Sequence, residues 1–300
     1  MTTATTHTDA SSPESPGSSG SSGSGGPALR KSAPHEPGAR SQVPRRSDPF
    51  AVVRHTLTLT WRNLVKLKHQ PEQLIDLTLQ PVIFIVMFVY LFGGAIEGST
   101  HDYLQFVLPG ILVQTVVFAS LGTGVGLCED VAKGVFDRFR SLPISRFAPL
   151  AGAVLGDICR YMVAIAMVFG FGSAIGFRVQ TNALAALAAV GLVLVFAFAM
   201  CWIFALLGVV MKNPRSVQGT AMLVGFPLTF GANIFARTET MPGWLQAWVD
   251  VNPISHLTSA VRGLLVGGEV AGHAVATLLW AAAIFAVFAP LAVRRYKNNT

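Results

Sequence analysis

The stretch ALAALAAVGLVLVFAFAMCWIFALLGVV, residues 183–210, carries no charged side chain and no proline. A bilayer core takes about 20 helical residues to cross, so a run of this length and apolarity reads as a transmembrane helix. Five further stretches read the same way: 77–95, 104–127, 148–177, 217–236 and 271–292. Backbone groups in hydrocarbon must be satisfied within the chain, which helices achieve and isolated strands do not. The predicted fold class is an all-α polytopic membrane protein with six transmembrane helices.

The charges orient it. Eighteen of the 22 Lys and Arg fall before the first span, between spans two and three, just after span four, or after span six. The opposite gaps hold Arg178, Arg237 and Arg262, and Arg160 lies inside a span. Positive residues stay on the cytoplasmic side, so both termini are expected in the cytoplasm, as an even number of spans also requires.

A net charge of +7 and a pI near 9.7 would point to nucleic acid in a soluble protein. Here the basic residues sit in short juxtamembrane segments, where their partners are anionic lipid headgroups, and no nucleic-acid partner is expected. Cys128, Cys159 and Cys201 lie in or beside apolar helices without metal-ligand or disulfide spacing, and read as packing residues. Residues 1–47, rich in Ser, Gly and Pro with an unbroken Gly/Ser run from Gly17 to Gly26, bury too little apolar surface to offset the entropy of ordering. They are expected to form a disordered cytoplasmic tail, and nothing in them resembles a secretory signal.

The longest interior loop, Cys128 to Phe147, is far shorter than a catalytic domain of about 100 residues. A G-x-x-x-x-G-K-[ST] phosphate loop, an H-E-x-x-H pair and a G-x-S-x-G elbow are all absent. The expectation is a chain that is not itself an enzyme, with no catalytic residues, no metal and no cofactor of its own.

Two cytoplasmic segments carry amphipathic patterns. Within residues 48–73, Val53, Leu57, Trp61, Leu64 and Val65 recur at helical spacing beside a polar stripe, the pattern of an interfacial helix along the inner leaflet. Such a helix is an anchor, a transmitter of motion into span one, or both. In the interior loop, a helix would align Val131, Val135, Phe139 and Leu142, ring them with Glu129, Lys133, Asp137 and Arg140, and stop at Pro143. By itself that face rests on the membrane as readily as on a partner.

The sequence Glu129-Asp130, then Lys133-Gly134-Val135-Phe136-Asp137-Arg138-Phe139-Arg140-Ser141-Leu142-Pro143, resembles the signature of ABC type-2 export permeases of the daunorubicin-resistance kind. A second match follows in order: Met241-Pro242-Gly243-Trp244, Asn252-Pro253-Ile254-Ser255-His256 and Arg262-Gly263-Leu264. The resemblance covers about residues 50–297, so the domain division reads 1–47 tail, 48–73 interfacial helix and 74–297 six-span permease.

The resemblance implies a multi-pass permease of the cell membrane that pairs with a second permease, in a homodimer on the simplest reading. It also implies a separate soluble ATPase that binds ATP and Mg. Glu129, Asp130, Lys133, Gly134, Asp137, Arg138, Phe139, Arg140, Leu142 and Pro143 are then the segment that receives the ATPase's motion. Arg138 is the first interfacial candidate, because a guanidinium pairs bidentately with a carboxylate; a solvated charge is the plain alternative.

Residues 244–265 read as two short amphipathic helices broken at Asn252-Pro253. The resemblance implies a re-entrant hairpin in the outer leaflet that gates the exit, with Trp244, Asn252, Pro253 and Arg262 as its candidates. A passive aromatic belt is the alternative.

Inside the spans, Asp157 and Arg160 each cost about 2.5–3.5 kcal/mol by insertion scales. Set three apart, they read as a structural ion pair, with a substrate site or a later start of span three as the other readings. Asp76 and Gln80 at the mouth of span one are ambiguous in the same way. Small residues four apart, Gly122 with Gly126, Gly152 with Gly156 and Gly172 with Gly176, read as helix-contact pairs.

Phe84, Phe88, Phe226 and Phe230 suit a path for an amphiphilic, drug-like cargo such as an antibiotic, and a lipid-facing position is their alternative. A lipid or lipid-linked glycan is the second cargo class. The remaining readings are a passive channel and an intramembrane enzyme, for which His256, Asp250 and Ser255 form the one polar cluster to test.

Overall fold

The computed structural model describes residues 71–133 and 148–299, with side chains from 78 to 133 and 156 to 295. The predicted tail, nearly all of the segment 48–73, and Gly134, Asp137, Arg138, Phe139, Arg140, Leu142 and Pro143 lie outside the described residues.

Every regular element among the described residues is helical. Helix α1 (Pro71–Met87) continues through a π-helical turn, Phe88–Phe92, into the single turn α2 (Gly93–Ile96). Gly98, at φ +73, ends that run, and the Ser99 hydroxyl accepts from the Asp102 N–H at 3.0 Å to start α3 (Thr100–Ala132). Helices α4 (Ala148–Ala174), α5 (Ala183–Val210) and α6 (Pro214–Phe230) follow. The short α7 (Gly243–Val251) and α8 (Pro253–Val266) lead into α9 (Ala271–Asn299).

Local chemistry sets the ends. The Asn182 and Asn213 side chains accept from Ala185 N and Arg215 N at 2.7 and 3.0 Å, capping α5 and α6. Helix α4 closes with the Phe177 N–H on the Gly172 carbonyl at 2.8 Å, while Gly176 takes φ +113. That six-to-one bond is the Schellman arrangement, in which glycine adopts the left-handed residue at no steric cost.

Helix α3 is the axis of the bundle. Of its most apolar stretch 89% is buried inside the chain, against 22% in the first and last spans. It packs on α1, α4, α5, α6 and α8, and α5 in turn carries α9.

Five described helices are long and apolar enough to cross a membrane: Thr78–Ile96, Thr100–Ala132, Gly156–Ala174, Ala183–Val210 and Ala271–Arg295. The sequence reading expected six. The fifth expected span, 217–236, is helical only to Phe230, giving α6 17 residues. Beyond it the chain turns at Gly231 and folds back, burying Ala232 and Ile234 in the core. Ile234 sits on Gly110 so closely that a Cβ there would lie 2.8 Å from its Cγ2. Apolar residues in that loop mimic the continuation of a helix.

Of the expected contact glycines, Gly172 lies against Leu108 of α3 with no room for a Cβ, whereas the pair Gly122–Gly126 is revised. Gly126 faces open space, and a Cβ on Gly122 would meet the Arg160 guanidinium at 3.0 Å. The close backbone approach of α3 to α5 is made by Gly124 and Gly208, where a Cβ on either would strike main-chain carbonyl oxygen, of Phe204 and of Gly124 respectively. Four-residue spacing marks a face of one helix; the facing helix selects which glycine on it is used.

Candidate functional site

Three groups of side chains stand out: one around α7–α8, one along an aromatic flank and one where α3, α4 and α5 meet. The first group fixes the segment α7–α8. Asn252, between the two helices at φ −69 and ψ 120, has its N–H on the carbonyls of Trp248 and Val249 and accepts from Ile254 N at 2.9 Å. It also donates from Nδ2 to the Leu228 carbonyl at 2.8 Å. Pro253 opens α8, where its missing N–H has no helical acceptor to lose.

Leu257, Val261 and Leu265 are fully buried from α8, while Trp244 and Trp248 of α7 stand exposed. Gln180 N and Thr181 Oγ1 donate to the Leu265 and Leu264 carbonyls at 2.9 and 2.5 Å, tying the α4–α5 loop to the same helix.

Arg262, named from sequence as a hairpin residue, points inward. Its Nε donates to the Phe106 carbonyl at 3.0 Å and its Nη2 to the Asn233 carbonyl at 2.9 Å. Its guanidinium carbon lies 3.9 Å from the centroid of the Phe106 ring. Arg237 also faces that ring at 5.3 Å and holds Glu97 through two bonds of 2.7 and 3.1 Å. Phe106, Asn233 and Glu97 carried no sequence signal for this role.

The flank group is aromatic. Phe84 and Phe88 of the first span stack at 5.8 Å between centroids, and Phe226 and Phe230 of α6 stack at 5.3 Å. Phe84 meets Phe230 at 6.3 Å, so the four residues grouped from sequence form one surface. Phe235, which sequence reading placed in a span, lies at its centre, 4.2 Å from Phe88 and 5.4 Å from Phe230. Its carbonyl accepts from the buried Tyr103 hydroxyl at 2.9 Å. Phe226 and Phe230 remain partly exposed.

The third group joins three helices. Arg160 Nη2 lies 3.2 Å from Asp157 Oδ1 and also donates to the Ala119 carbonyl of α3. Asp157 accepts from Thr123 of α3, whose hydroxyl lies 3.4 Å from the Tyr161 hydroxyl. Cys201 of α5 completes the group at 2.7 Å from that hydroxyl. Cys201 is therefore a polar-cluster member as well as a packing residue, and Cys128 Sγ bonds the Met211 carbonyl at 3.2 Å. Neither role has a spacing signature, because the partners come from other helices.

At the C-terminal end of α3, Glu129 and Lys133 pair at 2.9 Å one turn apart. Hydrogen bonding to Glu129 raises the Lys133 pKa. Asp130 is half-buried beside them; the rest of the predicted coupling segment lies outside the described residues. Gln80 is exposed, and the Asp76 side chain is not described.

The cluster tested for catalysis does not assemble as a Ser–His pair. Ser255 is buried and its hydroxyl has no hydrogen-bond partner, whereas the His256 ring turns to His273 of α9, with the two Nδ1 atoms 3.3 Å apart. Burial first, then His273, hold the His256 pKa below the usual histidine value.

The family model of the ABC-2 type transporter matches residues 54–266, from the basic segment before the first span to the end of α8. Over 244 residues the chain is 50% identical to the daunorubicin resistance ABC transporter permease protein DrrB1 of Streptomyces coeruleorubidus, covering 81% of this chain and 86% of that protein. It is 25% identical over 250 residues to the probable doxorubicin resistance ABC transporter permease protein DrrC of Mycobacterium tuberculosis, covering 83% and 90%. A putative transport permease, ycf38, of Cyanophora paradoxa is 26% identical over 225 residues, covering 72% and 75%. The resemblance carried by residues 129–143 and 241–264 is borne out.

Proposed function

This chain belongs to the ABC-2 type transporter family, and on that premise we propose that it is the membrane-spanning permease of an ATP-driven exporter of amphiphilic, drug-like compounds. The observation that carries the cargo class is the 50% identity to a daunorubicin resistance permease along 81% of the chain. The aromatic surface of Phe84, Phe88, Phe226, Phe230 and Phe235 suits that cargo. Stacked rings offer a flat apolar molecule dispersion contacts without requiring a matching charge, and the exposed edges of Phe226 and Phe230 leave the surface open on one side.

In this reading six spans cross the cell membrane with both termini in the cytoplasm, and α6 is the short span, extended on the outer side by the folded-back loop 231–242. Two permeases pair so that their aromatic flanks line a shared path. A soluble ATPase subunit binds ATP and Mg and docks on the cytoplasmic segments, 48–73 and 129–143. Closure of the ATPase pair moves the interior loop, and the motion reaches α3, the axis on which α1, α4, α5, α6 and α8 pack.

The outer hairpin α7–α8, pinned to α3 by Arg262, controls release. The test is efflux of daunorubicin from inside-out vesicles holding the chain with its ATPase. ATP-dependent uptake into the vesicles that is lost on omitting either subunit supports the reading. Uptake without ATP, or none at all, contradicts it.

A further inference from the structure

The pair His256–His273 has no part in the transport reading, and its geometry has a chemical meaning of its own. The rings come from two helices, α8 and α9, with centroids 5.6 Å apart, an interplanar angle of 38° and the two Nδ1 atoms 3.3 Å apart. Neutral rings can share one proton across that distance as a long hydrogen bond. Two imidazole nitrogens bound to one tetrahedral ion at about 2.0–2.1 Å each stand about 3.3–3.4 Å apart. The observed spacing accommodates this arrangement as well as a long hydrogen bond.

The surroundings fit a cation. A neutral imidazole carries one proton, which leaves its other nitrogen as a lone-pair donor. On the His273 side, the Thr277 hydroxyl donates to the His273 carbonyl at 2.8 Å, within the backbone of α9. Both rings are half-buried, so water reaches the site. Among the described residues no third His, Cys, Asp or Glu side chain joins a metal-binding group, and water would complete the coordination.

We propose that His256 and His273 form a two-histidine site for a borderline divalent cation, Zn2+ or Cu2+, that clamps the outer helix α8 to the last span. Imidazole is a preferred ligand of both ions, and hard cations such as Mg2+ or Ca2+ gain little from it. The clamp joins the hairpin to α9 at a point where no other side-chain bond between the two helices is recorded among the described residues.

The experiment uses the full chain in lipid nanodiscs, purified without a histidine tag, stripped with chelator and titrated with Zn2+ alone. The wild type is compared with His256→Ala, His273→Ala and the milder His256→Gln. Wild type is expected to bind one Zn2+ per chain more than any variant. Loss of a supporting residue alone costs about 10–100-fold in affinity, so loss of a ligand should weaken this site by at least tenfold. Zn2+ should raise the unfolding temperature of the wild type and leave that of the variants unchanged. Cu2+ in place of Zn2+ should give a two-nitrogen spin-resonance signature in the wild type alone. Equal Zn2+ uptake in wild type and a folded His256→Gln variant would overturn the proposal, as would a wild type whose unfolding temperature ignores Zn2+. Neither outcome depends on ATP or cargo, so the proposal stands or falls apart from the transport reading.

Discussion

The Arg262 guanidinium is held 3.9 Å from the centre of the Phe106 ring while its Nε donates to the carbonyl of that same residue. One side chain of the α7–α8 segment thereby grips the N-terminal end of the central helix by its ring and its backbone at once. A desolvated cation–π contact is worth about 2 kcal/mol, and each hydrogen bond from a charged donor about 1.5–3 kcal/mol. Arg262→Ala is therefore expected to destabilise the hairpin by about 3 kcal/mol or more. Hydrogen exchange in residues 253–266 should accelerate. Arg262→Lys should recover little, because one ammonium cannot span both carbonyls; full recovery by lysine would show that charge alone matters.

Asp157 and Arg160 are each expected to be costly to remove alone and cheaper to remove together. Breaking a buried pair leaves an uncompensated charge at about 3–5 kcal/mol, so Asp157→Asn or Arg160→Met should lower the unfolding temperature sharply. The double variant should recover part of the loss, with a coupling of about 1–3 kcal/mol. Additive losses in a double-mutant cycle would mean that the two charges act separately.

Gly124→Ala and Gly208→Ala place a methyl against backbone carbonyl oxygen, which cannot move aside as a side chain can. Each should cost roughly 1–3 kcal/mol in thermal unfolding. Gly126→Ala, facing open space, should be neutral or stabilising by up to about 1 kcal/mol. A reversed order would place the α3–α5 contact elsewhere.

Phe226→Leu and Phe230→Leu keep apolar bulk while removing ring stacking, worth about 0.5–1.5 kcal/mol per pair. Half-saturating cargo concentrations in vesicle uptake should rise roughly 2- to 10-fold, with the amount of folded protein unchanged. Unaltered uptake in both variants would remove the aromatic flank from the path.

Legibility followed the range of the interaction. Long apolar runs need no partner to be recognised, so α3, α5 and α9 were plain from residues 104–127, 183–210 and 271–292. The break at Asn252-Pro253 was equally plain, since proline acts on its own neighbours. Span five was overextended because Ala232 and Ile234 are as apolar in a buried loop as in a helix. The four phenylalanines were legible as apolar aromatics, but Phe235 at their centre was not, because a loop fold brought it there. Thr123, Tyr161 and Cys201 join Asp157 from three helices, and His273 meets His256 across two. Contacts between elements leave no periodicity in either sequence, and only Asp157 and Arg160, costly wherever they sit in a span, announced themselves.

The account is tested most directly by purifying the C-terminally tagged chain from its native membranes and measuring what accompanies it and whether the sample hydrolyses ATP. The account predicts a soluble ATP-binding subunit in fixed stoichiometry and ATP hydrolysis that rises with daunorubicin. It also predicts that Arg138→Glu with Leu142→Asp abolishes this rise while the chain stays folded and inserted. Recovery of the chain alone, with no ATPase activity under mild extraction, would contradict it.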